Sequence, residues 1–249
     1  MKCLYIDCAM GAAGDMLTGA LLELVPEQES FLERLNAIGI PGVVYSAQKR
    51  EKLGAVGTHV TVKIHGQQEG EHAHHGHHHA HSTLHTMEHI FSYLNLPDQV
   101  RQDALGVYRK IAEAESHAHG VPVEQVHFHE VGALDAVADV AAVCLLMDAI
   151  GAQRIVASAV HVGSGTVHCA HGELPVPAPA TAYLLRDVPT YGGEIRGELC
   201  TPTGAALLTH FASEFGDMPP MSVMHTGIGV GNKDFPRPNC VRALLGVTE

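Results

Sequence analysis

Tryptophan is absent from this 249-residue chain, aromatic residues amount to only 5%, and no apolar run is long enough to cross a bilayer. The most apolar region, Val131 to Ile150, is interrupted by Asp135, Asp139 and Asp148, which excludes a membrane span. Basic side chains are scarce too. Lys and Arg total 15 against 27 Asp and Glu, for a formal charge of −12, and they gather nowhere into a stripe, so nucleic acid is excluded as the main ligand. The six cysteines (Cys3, Cys8, Cys144, Cys169, Cys200 and Cys240) form no C-x-x-C pair, which removes zinc ribbons and thioredoxin-like redox motifs. Asp7 and Asp15 fall where a signal peptide needs an unbroken apolar stretch, so a cytoplasmic, reduced protein without a membrane partner is expected.

Histidine is what the chain has in excess: 20 residues, more than all lysines and arginines together. Its neutral ring is a common ligand for transition metals and its unperturbed pKa, about 6.5, lies near neutrality, so a metal-linked or proton-linked role comes first. Seven of the rings crowd between His72 and His81: His72, His74, His75, His77, His78, His79 and His81. Residues 66–82 hold no apolar side chain larger than alanine, so they are expected to form a disordered, exposed loop that captures Ni, Cu, Zn or Co without fixed geometry. A low-complexity insertion without consequence is the plain alternative.

The remaining pattern predicts a single compact domain over 1–249, mixed α/β with α+β open. Strands are expected at Cys3–Asp7, within Val43–Ile64, at His127–His129, over Arg154–Val162 and at Val241–Val247. Helices are expected from Asp15 towards Pro26, over Gln28–Ile38, from Thr83, over Asp98–Ala118, over Ala133–Ile150 with Gly151 as a left-handed cap, and near Ala178–Leu185 and Thr203–Phe215.

The strongest site signal is HFHEVGALDAVAD, residues 127–139. On a strand His127 and His129 share a face, and on the following helix Asp135 and Asp139, four apart, share another. Asp139 lies in a helix apolar nearly all round, where a carboxylate requires a cation or hydrogen-bond donors. His127, His129, Asp135 and Asp139, with Glu130 beside them, are therefore candidate ligands of a divalent ion. Helix capping, an arginine partner and ordinary core histidines are the alternatives. Asp7, Gly14 and Asp15, at a glycine-rich strand-to-helix turn, are candidates for holding a cofactor, against the reading of a simple tight turn. No G-x-x-x-x-G-K-[ST] occurs, and the Gly227–Gly231 run lacks the following helix that a dinucleotide fingerprint requires, because Phe235-Pro236-Arg237-Pro238 stands there.

Taken in order, DCAMGAAGDM (7–16), the histidine-rich segment, HFHEVGALDAVADV (127–140), HGELPVPAPAT (171–181), ELCTPTGAALL (198–208) and GIGVGNKDFPRPN (227–239) resemble the LarC family of nickel insertion proteins. The resemblance runs from Asp7 to Leu245. It implies a nickel chelatase of the lyase class that is CTP-dependent, with Mg or Mn. The reaction places Ni(II) into a pyridinium bisthiocarboxylate mononucleotide, through one carbon–nickel and two sulfur–nickel bonds, during nickel-pincer cofactor biosynthesis for lactate racemase. The resemblance is to the N-terminal portion, with a CTP-associated C-terminal domain expected as a partner in addition to other cofactor-biosynthesis proteins, lactate racemase or a second copy of the chain. Carbon metallation needs a base for the ring proton, and Glu130, His171 and Glu173 are the candidates. A metal-dependent hydrolase with a His-x-His site, and a simple nickel buffer, are the rival readings.

Overall fold

In the computed structural model the structure describes residues 1–68, 82–128, 131–169 and 172–249. The seven tract histidines, His129, Glu130 and His171 lie outside these. The helices are α1 (Gly14–Leu22), α2 (Gln28–Asn36), α3 (Leu84–Tyr93), α4 (Asp98–His119), α5 (Leu134–Ile150), α6 (Pro179–Leu184) and α7 (Pro202–Phe211). The strands are β1 (Lys2–Asp7), β2 (Val43–Lys52), β3 (Ala55–Ile64), β4 (Gln67–Gln68), β5 (Arg154–Ala157), β6 (Val160–His161), β7 (Gly163–Ser164), β8 (Thr166–Cys169), β9 (Gly172–Pro175), β10 (Thr190–Tyr191), β11 (Gly197–Glu198), β12 (Glu214–Phe215), β13 (Ser222–Val230) and β14 (Cys240–Val247). No helix among the described residues is long and apolar enough to cross a membrane.

A mixed sheet in the order β12-β5-β1-β14-β13-β3-β2, with β4 also on β3, organises the molecule. β1 pairs parallel with β5 and antiparallel with β14, and β13 pairs antiparallel with β14 but parallel with β3, so parallel and antiparallel pairings are interspersed across the sheet. This is the mixed α/β architecture expected. β2 and β3 form the antiparallel hairpin that alternation in 43–64 suggests. β3 meets β13 at Thr58↔Gly229 and β4 at Ile64↔Gln67.

Helix α5 is apolar nearly all round because it is buried on most sides, as Val137, Val140, Val143, Leu145 and Leu146 show. It ends at Gly151 in the left-handed conformation (φ 59°, ψ 41°), as the glycine predicts. Tyr45 fastens it to the sheet by donating to the Ala138 carbonyl at 2.8 Å. Helix α1 lies on β13. A β-carbon at Gly227 would collide with the Ala20 carbonyl, and one at Gly229 with the Met16 carbonyl. The alternating glycines thus form a bare stripe on which the helix backbone rests.

Several expectations need correction. His127 precedes an isolated bridge between Phe128 and Ser82, without a strand, because the Phe128 ring is drawn into the core while His127 is exposed. The strand expected over 154–162 breaks after Ala157, where the next N–H of the β1 side, that of Cys8, donates to the Ser158 side-chain hydroxyl at 2.9 Å and the backbone ladder ends. The helix expected to run to Phe215 stops at Phe211, since Glu214–Phe215 pairs with β5 at the sheet edge. Helix α4 starts at Asp98 as expected, and Asp98 forms an ion pair with Arg101 one turn on. Helix α1 ends at Leu22, short of Pro26, and Gln67–Gln68, placed in the loop by sequence, pairs with β3.

Candidate functional site

A cleft of about 340 Å³ opens beside β3, where Val60, Thr61 and Val62 lie between its contacts with β13 and β4. Its other walls are the first turns of α1, α5 and α7 and the segment between β13 and β14. Three helix N-termini therefore surround one space. Those of α1 and α5 have no side-chain cap, whereas Thr201 caps α7 by accepting from the Gly204 N–H at 3.1 Å.

Acidic groups dominate the walls: Asp15 from α1, Asp135 and Asp139 from α5, and Glu198 from β11. Asp135 and Asp139 face the same cleft, as their four-residue spacing suggests. Asp135 Oδ1 is buried, and among the described residues no hydrogen bond reaches it. Gly14 is the residue that admits Asp139, since a β-carbon there would lie 2.5 Å from Asp139 Cβ and overlap its carboxylate. The Val131 carbonyl, just before α5, is fixed by the Tyr108 hydroxyl at 3.1 Å. Burial pushes the Tyr108 and Tyr45 hydroxyls well above their ordinary range, reinforced by Asp135 and Asp139 at Tyr108 and by Asp139 at Tyr45.

Asp15 differs in environment. Burial raises its carboxyl above the usual carboxylate range, against the Met16 N–H, which donates to Oδ1 at 2.8 Å, and the charges of His59 and Lys233. His59 is fully buried. Its Nδ1 lies 2.8 Å from the Val230 carbonyl and so donates there, while Nε2 has no hydrogen-bond partner among the described residues. Sequence reasoning passed over His59, because nothing local joins residue 59 to residue 15.

Of the other candidates, His127 is exposed. Asp7 is occupied at the end of β1, where Arg242 Nε donates to it at 2.9 Å and the Ala9 N–H at 3.0 Å. Glu173 sits exposed on β9, accepting from the Thr166 hydroxyl at 2.5 Å, and is not among the residues lining this cleft. Among the described residues no three His, Cys, Asp or Glu side chains stand close enough to enclose a metal ion. A second cavity of about 270 Å³ adjoins the first through Val131, Glu198 and Pro202; its apolar wall includes Val167 and Leu174, and Cys169 and the His119–Glu115 pair also line it.

A family model described as nickel insertion protein matches residues 4–249. The chain belongs to the nickel insertion protein family. It is 41% identical over 251 residues to a pyridinium-3,5-bisthiocarboxylic acid mononucleotide nickel insertion protein of Clostridium kluyveri, covering 100% of this chain and 63% of that relative. A protein of the same name from Desulfitobacterium hafniense is 40% identical over 246 residues, covering 99% of this chain and 58% of the relative. The chain thus spans about six tenths of the length of these nickel insertion proteins. No solved structure matches it significantly.

Proposed function

We propose that this chain carries the nickel-binding part of an insertion reaction in which Ni(II) enters a pyridinium-3,5-bisthiocarboxylic acid mononucleotide during nickel-pincer cofactor biosynthesis. Family membership over residues 4–249 carries the reading, and the acidic cleft supports it. Asp135 and Asp139 are the described ligands in this proposal, the buried Asp135 Oδ1, which no described residue reaches with a hydrogen bond, being the group most in need of a cation. His129 and Glu130 belong to the same proposed set through their place in the sequence, and the 72–81 histidines supply a reservoir.

An incomplete protein shell suits such a reaction, because the substrate must provide ligands of its own. Thiocarboxylates at ring positions 3 and 5 flank one ring carbon, so a metal held by both sulfurs lies against its C–H. Forming the carbon–nickel bond releases that proton, and the ring carbon's electron pair goes to nickel. Asp15, a cleft carboxylate biased towards holding a proton, is the acceptor in this scheme. Glu173, engaged on its exposed hairpin, is not assigned the role. The proposal includes CTP dependence with Mg(II) or Mn(II), a lyase-class chelatase reaction and cytoplasmic location, and it assigns no CTP site to the cleft. The partners it expects are the remaining LarC portion, other cofactor-biosynthesis proteins, lactate racemase and a second copy of the chain.

The test is mass spectrometry of the mononucleotide after incubation with Ni(II) and the protein, with and without CTP and Mn(II). Gain of nickel with loss of protons supports the proposal. An unchanged substrate mass, together with turnover of simple esters or phosphates in Zn(II) or Mn(II), overturns it in favour of a hydrolase.

A further inference from the structure

The acidic cleft has one wall of different character. Lys233 is the one cationic side chain, and Phe235 the one aromatic ring, that line it among the described residues. Both lie on the segment joining β13 to β14, which is closed by the Gly231 N–H donating to the Asn239 carbonyl at 3.0 Å. The buried Asn239 amide donates to the Lys233 carbonyl at 3.0 Å, and Lys52 Nζ to the Asn232 carbonyl at 3.1 Å. Pro236 and Pro238 stiffen the segment further. The Lys233 backbone is therefore fixed while its side chain is exposed. The Phe235 ring is seated against Met10, Ile195 and Leu199, with another part of it lining the cleft.

From this placement we infer a recognition subsite for a pyridinium mononucleotide, in which Phe235 stacks on the ring and Lys233 binds the phosphate. A pyridinium ring is a flat cation, and the face of an aromatic ring attracts it. A phosphate dianion is repelled by Asp15, Asp135, Asp139 and Glu198 and attracted by Lys233, so charge alone sets the orientation. The metal-binding groups at the far edge of the ring are then turned to the acidic wall. The subsite rests on the proposed nickel insertion, yet it concerns recognition of the organic substrate and is separable from nickel binding.

The experiment is calorimetric titration with nicotinic acid mononucleotide and with the corresponding riboside, which lacks the phosphate. Phe235→Leu is expected to weaken both probes by roughly 3- to 30-fold, and Phe235→Tyr to restore them. Lys233→Met is expected to weaken the mononucleotide by about tenfold, leave the riboside unchanged and remove the salt dependence of mononucleotide binding. Equal loss of both probes in Lys233→Met, no effect of Phe235→Leu, or no binding by the wild-type chain overturns the subsite. Ni(II) titrated alone into the same variants reports on the nickel reading independently, and is expected to be unchanged.

Discussion

Gly14→Ala is the substitution that most sharply separates local helix preference from the packing described above. Gly14 opens α1, and alanine in place of glycine ordinarily favours a helix by up to about 1 kcal/mol. Here the new methyl would lie 2.5 Å from Asp139 Cβ and 2.6 Å from Cγ. Non-bonded carbons rest at about 3.5–4.0 Å, so α1 and the Asp139 side chain must separate by about 1 Å. Overpacking of this kind costs about 1–3 kcal/mol, which exceeds the helical gain. One kcal/mol shifts Tm by about 2–4 °C in a protein of this size, so a net cost of about 1–2 kcal/mol after the helical gain is deducted gives an expected fall of roughly 2–8 °C. Because the chain has no tryptophan, the melt is followed by circular dichroism at a helical wavelength. A Tm equal to or above wild type would refute the packing of α1 against Asp139. A destabilised variant that binds nickel like wild type would instead remove Asp139 from the proposed ligands.

Asp15→Asn should raise Tm at pH 7–8, because a carboxyl whose folded pKa is raised penalises the fold once ionised. That gain should vanish on acidification through the window between the raised folded value and about 4, and a gain that persists at lower pH contradicts the assigned cause. A thiol reagent at pH 8 should label the half-buried Cys169 and Cys240 first, and Cys3, Cys8, Cys144 and Cys200 only on unfolding; burial pushes the Cys200 thiol up to about 12. Rapid labelling of Cys200 in the native protein would contradict its place in the core. Tyr45→Phe should cost about 1 kcal/mol through loss of its bond to the Ala138 carbonyl, seen as a lower denaturant midpoint at unchanged slope.

Local patterns made much of the fold legible. The apolar run ending at Asp7 is β1, the alternation of 43–64 is a hairpin, and Gly151 terminates α5 in the conformation glycine favours. The elements read poorly are those whose pairing or packing lies far away in sequence. β13 is absent from the strands expected from sequence because its glycines, which face α1, interrupt the apolar alternation, and β12 reads as helix because only its pairing with β5 makes it a strand. In the site, Asp135 and Asp139 were legible through their spacing on one helix. Glu198, Lys233, Phe235 and His59 were not, since the fold brings them to the cleft or its floor from separate segments.

The most direct test is calorimetric titration of Ni(II) into a chain lacking residues 71–81, with and without Asp135→Asn and Asp139→Asn. One binding event should survive the deletion and disappear in the double variant, whose circular dichroism should remain that of the folded protein. A surviving event that ignores both substitutions, or no event at all after the deletion, would contradict the cleft as the place where nickel is held.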